Sequence, residues 1–162
     1  METDVVLLMI AEIRLGQDYS ESLPGWAADA LVAGIETPAL RELAGLPKEG
    51  DGYELRRLLD VVAAELGLTV PGEAECRQLL VERWARQIVD GEVAPEVGAA
   101  RIWAQWSEAG GSSEAAPDSW LPFVNDASDW DELPGRRDEI RASICTAARS
   151  LVDGAAGSHR PR

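Results

Sequence analysis

Residues 51–67, DGYELRRLLDVVAAELG, carry the pattern on which the fold class turns. Leu55, Leu58, Leu59, Val62 and Leu66 recur at the spacing that puts side chains on one helical face, while Glu54, Arg56, Arg57, Asp60 and Glu65 fall elsewhere on the wheel. Asp51 and Glu54 have capping-box spacing, and Gly67 can adopt the left-handed conformation that ends a helix. The segment is therefore an amphipathic helix with both boundaries written into it.

The same grammar extends outward. Towards the N-terminus, Thr37 and Pro38 form a cap and a first helical residue for a short helix through Leu40, Leu43 and Ala44, stopped at Gly45. A helix starting near Pro24 closes at Gly34, and Val6, Met9, Ile10 and Ile13 predict another at the start of the chain. Towards the C-terminus, Pro71 opens a helix with Cys76, Leu79, Leu80, Trp84 and Ile88 on one face and Gly91 at its end. Pro95 starts the next, with Ala99, Ile102, Trp103 and Trp106 inward, and a Gly-Gly-Ser-Ser stretch follows at 110–113. Beyond it, a Ser119-capped helix places Trp120, Phe123, Ala127 and Trp130 on one side, and a last helix over 136–153 points Ile140, Ile144, Ala147 and Leu151 inward. No segment alternates with period two. The expected fold is all-α, a compact helical domain of about eight helices over residues 1–153, paired antiparallel or at an angle, with a flexible linker near 110–117 and a disordered tail over 154–162. One frame recurs: Val32, Gly34 and Pro38 return as Val89, Gly91 and Pro95. Its expected role is helix punctuation rather than a repeat architecture.

Length and composition narrow the class further. A chain of 162 residues, 46% apolar, matches one ordinary domain. Its formal charge of -14 opposes direct binding to phosphate backbones or anionic lipid. The acids are unevenly placed: residues 111–134 contain six acidic side chains and no basic one, whereas residues 135–162 contain six arginines against three acids. Those arginines, Arg136, Arg137, Arg141 and Arg149 among them, are expected to pair within the chain; if free, they would offer a surface for head-to-tail self-association. The longest apolar run, Val5–Ala11, is far short of the roughly 20 residues of a membrane helix, and the acidic start lacks the features of an export signal. A cytoplasmic location is expected, and the preference for arginine over the single lysine, Lys48, points to a GC-rich bacterial source.

Chemistry-bearing constellations are sparse. His159 is the only histidine, and Cys76 and Cys145 sit inside helical patterns as small core residues, so a closed zinc site and a disulfide framework are both excluded by count. No phosphate-cradling glycine loop occurs, Lys48 lies beside Glu49 and Asp51 as an ordinary surface amine, and no cofactor is implied. The candidate metal ligands are Asp126, Asp129, Asp131 and Glu132, which would suit a hard cation but lack the glycine and terminal glutamate of a calcium loop; a solvated acidic face is the expectation favoured for them. Six tryptophans against two tyrosines and one phenylalanine are unusual. Most are expected to anchor the core, with Trp106 and Trp120, flanking the glycine stretch, as candidate partner contacts.

The segments IVDGEVAPEVGAARIWAQW (88–106) and LPFVNDASDWDELPGRRDEI (121–140) resemble stretches of small uncharacterised helical proteins of actinobacteria. The resemblance covers the C-terminal half, implies an all-α fold and brings no catalytic residue with it. The expected function is a non-enzymatic acidic module that binds another protein with a basic surface, as a regulator, adaptor, immunity-type inhibitor or subunit. The alternatives are a carboxylate- or metal-dependent hydrolase or transferase, a decoy that mimics DNA, and a binder of small ligands between helices.

Overall fold

In the computed structural model, residues 2–15, 23–47, 51–111 and 117–158 are described, and among them are eight α-helices, two 3-10 turns and no strand. The helices are α1 (Glu2–Arg14), α2 (Leu23–Val32), α3 (Pro38–Ala44), α4 (Gly52–Glu65), α5 (Glu73–Val89), α6 (Pro95–Glu108), α7 (Leu121–Glu132) and α8 (Arg137–Ser158), with 3-10 turns at Asp118–Trp120 and Pro134–Arg136. The fold is all-α. The residues group into two units, Met1–Leu80 and Val81–Arg162, with the division inside α5.

In the first unit, the 51–67 stripe works as its spacing predicts: Leu55, Leu58, Leu59, Val62 and Ala63 are buried and join Val6, Ile10, Leu23, Leu40 and Leu43 in one core. Asp51 caps α4 by accepting from the Tyr53 N–H, one residue short of a full capping box. Thr37 accepts from the Leu40 N–H at 3.1 Å, and Glu65 reaches across from α4 to accept from the Ala39 N–H at 3.0 Å. Two orphan donors of the short α3 are thereby satisfied, one by sequence-local chemistry and one by a tertiary contact. Gly45 ends α3 in the right-handed region, with its N–H donating to the Arg41 and Glu42 carbonyls. At the end of α1, Arg14 donates to the Pro71 carbonyl at 3.5 Å and lies 3.8 Å from Asp60 of α4. The helix expected to open at Pro71 begins at Glu73, with Glu75 accepting from the Gly72 N–H at 2.9 Å.

The recurring Val-x-Gly-x-x-x-Pro frame has one geometry in both places. Gly34 and Gly91 have φ of 96° and 74°, and the following N–H groups, of Ile35 and Glu92, bond back five residues to the Ala30 and Gln87 carbonyls. Pro38 and Pro95 then open α3 and α6. A left-handed glycine closes one helix and a proline with preset φ starts the next.

In the second unit, Ala99, Ile102, Phe123, Ile140, Ile144, Ala148 and Leu151 are buried where α6, α7 and α8 meet. Three expectations are revised here. Trp103, placed inward by its spacing, is 42% exposed, since it lies about 100° around the helix from buried Ile102. Ser119 does not cap α7: it lies within the 3-10 turn, and Trp120 occupies the cap position. The last helix does not stop at Asp153 but continues to Ser158. Of the expected linker, Gly110 and Gly111 are left-handed turn residues, and 112–116 lie outside the described residues, as do Lys48 and His159.

Gly98 marks the tightest approach in this unit. A Cβ built there would lie 2.5 Å from Cδ1 and 2.6 Å from Cγ1 of Ile88, which is itself buried. Gly98→Ala is expected to cost about 1–2 kcal/mol by overpacking, whereas Gly154→Ala, with open space around it in α8, is expected to gain about 0.5–1 kcal/mol from helix propensity. Urea denaturation of the two variants checks this; gains in both would mean that Ile88 yields freely.

Candidate protein-binding face

α8 has two chemically distinct sides. Ile140, Ile144, Ala148 and Leu151 fill the core, and on another side of the same helix Ala142, Ser143, Thr146 and Ser150 are exposed with small side chains only. Because these are small, the space above them is not filled. They form one wall of a groove of about 590 Å³, continued by Ala147 and Leu151, with Ser119 and Pro122 on the opposite wall. Thr146 donates its hydroxyl to the Ala142 carbonyl at 2.9 Å, one turn back in its own helix. That hydroxyl is thereby engaged within the helix.

The opposite wall, Ser119 and Pro122, is uncharged, but the elements that carry it are acidic. The 3-10 turn and α7 carry Asp118, Asp126, Asp129, Asp131 and Glu132 and no basic residue. These do not assemble a metal site: successive residues on a helix turn by about 100°, so Asp131 points well away from Asp126. Among the described residues no three His, Cys, Asp or Glu side chains come together as ligands. Asp131 and Glu132 are exposed and Asp126 and Asp129 half-buried. Burial pushes the Asp126 carboxyl above the ordinary aspartate value, the Ser143 hydroxyl opposes that shift, and the neighbouring Asp129 charge adds to it. Its Oδ2 is sealed from solvent without a donor.

The arginines of the C-terminal segment are largely engaged. Arg141 forms a two-pronged pair with Glu96 of α6, Nη2 to Oε1 at 3.0 Å and Nε to Oε2 at 3.3 Å, and its guanidinium lies 4.9 Å from the centre of the Trp130 ring. Arg137 lies 5.0 Å from the same ring, and Arg136 donates to Glu139 at 2.8 Å. The hydrogen bonds from Arg141 hold the Glu96 carboxyl below its ordinary value. Arg149 is exposed and has no carboxylate partner among the described residues.

The two tryptophans singled out by their position beside the glycines part company. Trp120 is 2% exposed and belongs to the core, and Trp106 is half-buried, its ring 3.6 Å from where a Gly111 Cβ would stand. The exposed tryptophan is Trp103. The groove itself escaped the sequence analysis; its only trace there is the row of small residues at 142, 143, 146, 147 and 150, a quarter-turn from the apolar stripe of the same helix. No helix among the described residues is long and apolar enough to cross a membrane.

Because the folded Asp126 carboxyl titrates above its unfolded value, its contribution to stability is present below the unfolded value and is lost as pH rises through the folded one. Asp126→Asn removes that loss. The urea midpoint of the variant relative to the parent is expected to rise between acid and neutral pH; a difference independent of pH would contradict the assigned burial. No protein-family model, curated protein or solved structure matches this chain.

Proposed function

We propose that this chain is a binding module for another protein, one that presents a basic surface, and that it acts as a regulator, adaptor, inhibitor or subunit rather than through chemistry of its own. The observation that carries this is the acidic surface of the 3-10 turn and α7, where Asp118, Asp131 and Glu132 are exposed. Such a surface attracts a basic partner over several ångströms, speeds its approach and repels acidic competitors. A second copy of the chain is the less favourable partner: each copy carries a formal charge of -14, and the arginines at 136, 137 and 141 are held by Glu139, Trp130 and Glu96 instead of forming a free basic face.

Affinity capture with the tagged chain from its native host is expected to enrich one protein in stoichiometric amount at low salt, and to lose it as ionic strength rises. The triple variant Asp118→Asn, Asp131→Asn, Glu132→Gln, all at exposed positions, is expected to slow that association without loss of fold. Enrichment of no protein, or of one indifferent to salt and to these substitutions, would remove the basis for the proposal.

A further inference from the structure

We draw no further inference here: the strongest candidate, the groove of about 590 Å³ between Ser119 and Pro122 and the small side chains of α8, is lined by no charged residue, and nothing in the structure shows what covers it.

Discussion

The contact of Arg141 with both Glu96 and Trp130 ties three helices of the second unit together at the edge of its apolar core. One guanidinium on α8 grips a carboxylate on α6 and lies over an aromatic ring on α7, so three helices meet at a single side chain. Planar, two-pronged pairing fixes orientation as well as distance, which a lysine at the same position would not do. The buried stripe of Ile140, Ile144, Ala148 and Leu151 holds α8 against the core, and the small side chains one face away remain uncovered.

Charge placement sets the character of the surface near that groove. The -14 of the chain is not spread evenly: the stretch leading into and through α7 is purely acidic, while the basic residues that follow are mostly drawn into internal contacts. What faces solvent beside the groove is thus more one-sided than the C-terminal composition implies. The row of small residues leaves the space above α8 open, and the exposed carboxylates of Asp118, Asp131 and Glu132 make the neighbouring element acidic. Neither feature would suffice alone, since small residues are common on exposed helices and acidic surfaces are common on soluble proteins.

Much of the fold was legible because its punctuation is local. Thr37, Asp51, Gly34, Gly67, Gly91, Pro38 and Pro95 act within a few residues of their own position, so spacing alone located those helix ends. What stayed hidden depends on residues far apart in the chain. Glu65 serves a helix 26 residues before it, and Glu96 meets an arginine 45 residues later; no periodicity reports such pairs. The exchange of roles between Trp103 and Trp120 has a similar origin. Trp103 lies one residue, about 100° of helix, beyond buried Ile102, and Trp120 sits in a 3-10 turn whose different period carries its ring inward. The acidic candidates at 126, 129, 131 and 132 were correctly seen as a cluster in sequence, but the helix that carries them spreads them around its circumference.

The central claim is that α8 presents an open, small-residue face while its other face is packed. Methyl resonances of the full chain in the presence of a soluble paramagnetic relaxation agent test this directly. Ala142 and Thr146 should broaden strongly, while Ile144 and Ala148, both at 0% exposure, should be protected. Protection of Ala142 and Thr146 equal to that of Ile144 and Ala148 would contradict the account.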